Sequence, residues 1–162
     1  MRLNYIPSLK NTLILNGGGR GTTDWTDSNS DGVADNWART GLAATCSIIN
    51  ATDGFSNRAQ KWVAALSPQP SNTIYVSAIS STLTKNITYH ISFDYKSSIG
   101  IQVADISLTS LLTLSASPGG VTHVNTTIVY SGANASYILV FSLVGIASDG
   151  DYAIIDNVNV YV

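Results

Sequence analysis

Thr88-Tyr89-His90-Ile91-Ser92-Phe93-Asp94-Tyr95 alternates without a break: Tyr89, Ile91, Phe93 and Tyr95 fall on one parity, Thr88, His90, Ser92 and Asp94 on the other. Successive side chains of a β-strand point to opposite faces, so this stretch reads as a strand with one face in a core and the other free. Outward from it, strand signals recur near 43–49, 58–66, 73–79, 87–96, 99–106, 111–115, 121–130, 135–144 and 152–162. Turn chemistry separates them: Asp53-Gly54, Ser67-Pro68-Gln69-Pro70, Ser97-Ser98, Pro118-Gly119-Gly120, Ser131-Gly132 and Asp149-Gly150. Tyr137-Ile138-Leu139-Val140-Phe141 is apolar on both parities, as a covered central strand would be. In the last strand Ile155 and Val158 are three apart, after which Val158, Val160 and Val162 follow at period two. A bulge near Asp156-Asn157 reconciles the phases.

Composition agrees. All of the 10 acidic residues are Asp, and charged residues make up only 11% of the 162. Helix surfaces lean on Glu and Lys, whereas Ser, Thr, Asn, Val and Ile favour strands and turns. Helical bundles and coiled coils are excluded. The fold expected is all-β, a single-domain jelly-roll sandwich of two antiparallel sheets over residues 12–162, preceded by an N-terminal arm at 1–11. A chain of this length buries enough surface to fold without cross-links, and the single Cys46 cannot form an intrachain disulfide. Eight basic residues against ten acidic ones, with no basic block, argue against nucleic acid as a partner. No apolar run approaches the roughly 18 residues that span a bilayer, which argues against membrane insertion. The first residues, Met1-Arg2-Leu3-Asn4-Tyr5-Ile6-Pro7, lack the apolar core of a signal peptide.

The sharpest local chemistry is Asp27-Ser28-Asn29-Ser30-Asp31-Gly32-Val33-Ala34-Asp35, which matches the first nine positions of an EF-hand-type calcium loop. Ca²⁺ takes six to eight hard oxygen ligands, and alternate side chains of a tightly wound loop supply them. Asp27, Asn29 and Asp31 offer side-chain oxygens, Asp35 a direct or water-bridged one, Val33 its carbonyl, and Gly32 the sharp turn. Ala38 stands where the bidentate acid belongs and no helices flank the loop, so the expectation is one structural Ca²⁺ outside an EF-hand. The competing reading is a polar turn whose Asp and Asn side chains satisfy backbone N–H groups.

Several motifs occur in a telling order: a Leu-Asn-Gly-Gly strand end (15–18), the Asp27–Trp37 loop, Gly54-Phe55-Ser56-Asn57-Arg58-Ala59-Gln60-Lys61, the 86–97 strand, and Ile154-Ile155-Asp156-Asn157-Val158-Asn159-Val160. Together they resemble the carbohydrate-binding-module-like jelly rolls, the galactose-binding-domain-like β-sandwiches found on polysaccharide-degrading enzymes and on phage particles. The resemblance implies a structural Ca²⁺ held by a Glu after the first strand and an Asp of the closing strand. Here Gly19 and Arg20 stand where Phe and Glu would be, so that metal site lacks its Glu, and an Arg20–Asp156 ion pair is one alternative to it.

Catalysis finds little support. Hydrolysis of a glycosidic bond needs two carboxyl groups at a defined separation, and the Asp residues outside the loop sit mostly at turns. His90 and His123 lie in expected strands on the solvent side and make a pair only if those strands adjoin. No nucleophile elbow is present, so no catalytic residue is assigned. Sugar binding requires aromatic platforms beside amides and carboxylates, and Trp62, Tyr75 and Trp25 are the candidates, each with core packing or loop anchoring as the competing role. Trp37 is assigned to packing. Two functions remain. The first is a non-catalytic virion surface protein of a phage (capsid decoration or tail-associated), made without a signal peptide and docking on other virion proteins or on itself, with host glycans as further partners. The second is an extracellular carbohydrate-binding module that takes a polysaccharide.

Overall fold

The computed structural model describes residues 13–14, 17–18, 25–40, 44–65, 69–70, 75–105, 109–131 and 137–162; at 40, 44, 69–70, 75, 77–82 and 137–138 it describes the backbone alone. The expected arm at 1–11, and Arg20 with its alternative ion pair, lie outside these residues. Among them there is no helix and there are twelve strands. In chain order these are β1 (Trp37–Thr40), β2 (Ala44–Ile49), β3 (Ala59–Ala64), β4 (Gln69–Pro70), β5 (Tyr75–Leu83) and β6 (Thr88–Ser97). They continue with β7 (Ile101–Asp105), β8 (Ser110–Leu114), β9 (Ser117–Val129), β10 (Tyr137–Leu143), β11 (Ile146–Ala147) and β12 (Tyr152–Tyr161).

Two five-stranded antiparallel sheets face each other, ordered β1-β5-β10-β7-β8 and β2-β3-β12-β6-β9, and β4 pairs with β11 in a small third one. Nine of the strands fall where periodicity places them. The missed ones are β1, which follows directly on the polar loop, and β4 and β11, two residues each and too short to show a period.

The alternation of β6 is realised: Tyr89, Ile91, Phe93, Tyr95 and Ser97 are buried, while His90, Ser92, Asp94 and Lys96 are half-exposed. Phe93 meets Phe141 of the opposite sheet edge to face at 5.2 Å between ring centroids, and Trp37 joins Phe141 at 5.9 Å and Trp25 at 5.1 Å. This aromatic contact between sheets is the centre of the core, and burial of each such ring stabilises by roughly 2–3 kcal/mol. The expected bulge is present, since the register of β12 on β6 shifts between Asp156 and Asn159 and Asn157 takes φ 52°.

Two buried polar side chains fasten the segment from Trp25 to Trp37 onto this frame. Asp156, 1% exposed, accepts hydrogen bonds from Trp25 Nε1 (2.8 Å) and Asn157 N (2.7 Å). Gln60, fully buried, accepts from Ala34 N (2.9 Å) and donates to the carbonyls of Gly32 (3.0 Å), Ser47 (3.2 Å) and Lys61 (3.1 Å). Gly32 (φ +81°) lies so close to β2 that a Cβ there would collide with the Cys46 carbonyl. Further along, Leu13 N donates to Val160 O (2.6 Å) and Val158 N to Gly17 O (2.8 Å), so an early segment lies against the last strand.

A second, smaller apolar cluster sits on the outside of the β2-β3-β12-β6-β9 sheet, where Phe55 and Ala59 pack on Ile154, flanked by Ile49, Val121 and Tyr152. The turn at 50–58 folds over this part of the sheet, and Lys96 Nζ meets Asp53 Oδ1 at 3.4 Å.

Gln60→Leu keeps the bulk but leaves the Ala34 N–H and the Gly32 carbonyl without their side-chain partner. We expect a loss of about 3 kcal/mol, since each orphaned buried group costs roughly 1–3 kcal/mol. Urea unfolding should report it as a lower midpoint at unchanged slope.

Candidate functional site

Trp62 and Trp25 are both fully buried in the main core, so neither presents a ring to a sugar. Trp62 shares a parity with Gln60 and Ala64, and that parity is the inward face of β3, so its competing role in the core is the one realised. Trp25 is a loop anchor held by Asp156. The backbone of Tyr75 pairs with Thr40 and Ser142; its side chain lies outside the described set.

The polar loop is wound by its own side chains. Asp27 Oδ2 accepts from Gly32 N (2.9 Å), and Asp27 Oδ1 and Asn29 Oδ1 both accept from Asp31 N (3.2 Å each). Asn29 Nδ2 donates to Asp31 Oδ2 (3.1 Å), and Asp31 Oδ1 accepts from Val33 N (2.8 Å). Asp35 is engaged elsewhere, accepting from Thr26 Oγ1 (2.8 Å), Ser28 Oγ (2.7 Å) and Ser28 N (3.1 Å). The loop therefore joins Asp27, Asn29 and Asp31 directly, while Asp35 bonds to Thr26 and Ser28. Among the described residues no three acidic, histidine or cysteine side chains converge as a metal-binding group. Oxygen-only donors at Asp27, Asn29, Asp31 and the Val33 carbonyl still suit a hard divalent cation.

Among the described residues, a polar surface lies across β12, β6 and β9. The register sets His123 beside Asp94, Ser92 between Asn125 and Asn159, and His90 between Thr127 and Tyr161. His90 and Tyr161 stack with centroids 5.1 Å apart and planes at 14°. Next to them runs a chain of hydrogen bonds: Asn159 Nδ2 donates to Asn157 O (2.8 Å), Asn157 Nδ2 to Asp94 Oδ2 (2.7 Å), and His123 Nδ1 lies 2.6 Å from Asp94 Oδ1. The turn at 50–58, clamped by Lys96–Asp53, bounds this surface on one side.

The two histidines thus lie on adjoining strands, as a pair requires, but four register positions apart and each with its own partner. Asp94 and Asp156 face each other in register, yet Asp156 is enclosed with Trp25 while Asp94 lies with His123 on the open surface. Asp105 is likewise buried, accepting from Tyr130 Oη (3.2 Å) and Thr109 N (3.0 Å). Tyr161, Asn157 and Asn159 went unread in the sequence, although their period-two spacing opposite Val158 and Val160 marks them as one outward row.

Solved structures share this architecture. A family 4 carbohydrate-binding module matches at 15% identity and TM-score 0.55, over 80% of this chain and 96% of that one. A family 29 module complexed with mannohexaose matches at 14% and 0.52, over 82% and 85%. The fold is that of a carbohydrate-binding module. The family 22 module and catalytic unit of a Clostridium thermocellum xylanase, complexed with xylohexaose, matches at 12% and 0.54 over 78% of this chain. An arabinose-bound α-L-arabinofuranosidase matches at 10% and 0.61 over 98%. The chain spans only 26% and 31% of those two enzymes. No family model matches the sequence, and no curated protein does.

Hydrogen bonds from Ser28, then Thr26, stabilise the charged form of Asp35 and hold its carboxyl below the ordinary aspartate range. A lowered folded-state value contributes stability above the unfolded pKa, lost as pH falls through the folded one. Ser28→Ala should move the Asp35 titration midpoint up toward the ordinary range and bring the acid-unfolding limb to higher pH, as NMR titration and CD will report.

Proposed function

We propose that the chain is a non-catalytic glycan-binding module whose ligand lies on the open face of β12, β6 and β9. The observation that carries this reading is the His90–Tyr161 stack beside the hydrogen-bonded row Asn159–Asn157–Asp94–His123. A pyranose offers apolar C–H faces and directional hydroxyls. A ring surface takes the first, while fixed amides and a carboxylate take the second at little entropic cost. The carbohydrate-binding modules that share the fold support the same class of ligand, and the solved complexes with xylohexaose and mannohexaose supply first probes.

The virion reading, with its placement on a particle surface and docking on other virion proteins, rests on the family resemblance, on the absence of a signal-peptide core and on the expected arm at 1–11, which lies outside the described residues. The structural neighbours favour the glycan reading, which we rank first. Extracellular placement is part of the same proposal.

Tyr161→Ala should lower affinity for a retained oligosaccharide about tenfold, the scale of one stacked ring, with the melting temperature nearly unchanged. Isothermal titration with xylohexaose and mannohexaose, preceded by affinity electrophoresis on soluble polysaccharides, measures it. Equal retention of the wild type and the variant overturns the assignment of this face.

We further propose a structural Ca²⁺ at Asp27, Asn29, Asp31 and the Val33 carbonyl. An ion bound only by the native state stabilises it by mass action, so EDTA should lower the melting temperature and Asp31→Ala should remove that sensitivity. A melting temperature indifferent to chelator, with no metal by elemental analysis, makes the loop a turn held by its side-chain hydrogen bonds.

A further inference from the structure

The turn at 50–58 crosses the full width of the polar face. Phe55 packs on Ile154 of β12, and Lys96 Nζ of β6 reaches Asp53 O and Asp53 Oδ1 at 3.4 Å each. A Cβ at Gly54 would meet Val121 Cγ2 of β9 at 3.1 Å. One stretch of chain thus touches all three strands. Its shape is set locally: Asp53 (φ 57°) and Gly54 (φ 93°) take left-handed conformations, and Phe55 N donates to Thr52 O at 3.0 Å. Phe55 is buried while residues 50–54 and 56–57 are exposed, so the turn stands on the sheet as a raised wall. At the opposite end of the face Thr88, Val129 and Val162 are exposed, which leaves that end open among the described residues.

The groups that suit a sugar lie along the strands rather than across them. Asn157, Asn159 and Tyr161 follow one another on β12, and Asp94, Ser92 and His90 on β6. Asp94 and His123 stand at the level next to the wall, two residues from Lys96, and the His90–Tyr161 stack stands four residues farther on. At about 3.3 Å per residue the two levels are roughly 13 Å apart. A sugar chain laid across the strands would reach only one of them. A chain that uses the ring and the carboxylate together runs parallel to the strands, and the wall stops it.

We propose, resting on the glycan reading above, that this face takes the end of a glycan chain. The terminal sugar sits against the wall at Asp94 and His123, and the rest of the chain leaves over His90 and Tyr161. A terminal sugar carries a free hydroxyl where an internal one carries a glycosidic link. Asp94 is held on both oxygens, by His123 (2.6 Å) and Asn157 (2.7 Å), and with the exposed His123 ring it gives that hydroxyl a fixed polar partner. A further sugar on that side would collide with the turn.

Isothermal titration of the wild type with xylohexaose, mannohexaose, and a soluble xylan and mannan of known mean length reads the number of proteins bound per glycan chain. One protein per chain is expected at every length. Replacing residues 51–57 by Asn-Gly joins β2 to β3 through a two-residue hairpin and removes the wall. With an unchanged far-UV CD spectrum, that variant should bind several copies per polymer chain. Borohydride opens only the reducing-end ring of a hexaose and so tells which end is seated. A wild-type count that rises with polymer length overturns the proposal and leaves the glycan reading standing. So does a folded hairpin variant that stays at one per polymer chain. Failure to bind any of the four glycans overturns both. Should the hairpin variant not fold, the wild-type counts decide.

Discussion

The side chain of Gln60 ties together parts of the chain that no backbone ladder connects. One amide group, shielded from water, takes the Ala34 N–H and shares its two hydrogens among the carbonyls of Gly32, Ser47 and Lys61. A neutral amide suits this position because it donates and accepts without the desolvation cost of a charge. Trp25 and Trp37 depend on it, since both are carried on the segment that it pins and both pack into the core. The bond from Trp25 to Asp156 then fixes the other end of that segment beside the bulge of the last strand. The sandwich is thus held by apolar contact between sheets and by two polar fastenings at its margin.

The same bulge shapes the outer surface. With Asn157 in a left-handed conformation, the strand turns Asp156 toward the core and presents the Asn157 amide to Asp94. Structural and binding chemistry therefore diverge at two consecutive residues. A regular strand would have placed Asp156 directly beside Asp94 on one face, two like charges in contact. The turn at 50–58 covers the neighbouring stretch of the sheet with Phe55, so the open part is narrowed to β12, β6 and β9.

How much of this was legible in the sequence follows from the range of the interactions. The period of β6, the doubly apolar β10 and the phase break in β12 are local signals, and each was read correctly. Trp62 stayed open between platform and core because parity tells which side chains share a face, not which face is the core. Polar companions such as Gln60 pointed outward only so long as its buried hydrogen bonds were unknown. The loop at 27–35 was read as five ligands by spacing, yet Thr26 and Ser28 draw Asp35 away, a competition among neighbours that spacing does not encode. The stack of His90 on Tyr161 joins residues 71 positions apart, and the link from Asn157 to Asp94 spans 63. Such partners emerge only from strand register.

The contacts of Leu13 and Gly17 with Val160 and Val158 set a limit on how the molecule is made. β12 is the central strand of its sheet, between β3 and β6, and it also receives this early segment. Until β12 has been made, Trp25 lacks its Asp156 acceptor and the early segment lacks the strand that it lies against. Closure is then a late, long-range event, of the kind that makes β-sandwiches slow to mature and vulnerable to aggregation in the interval.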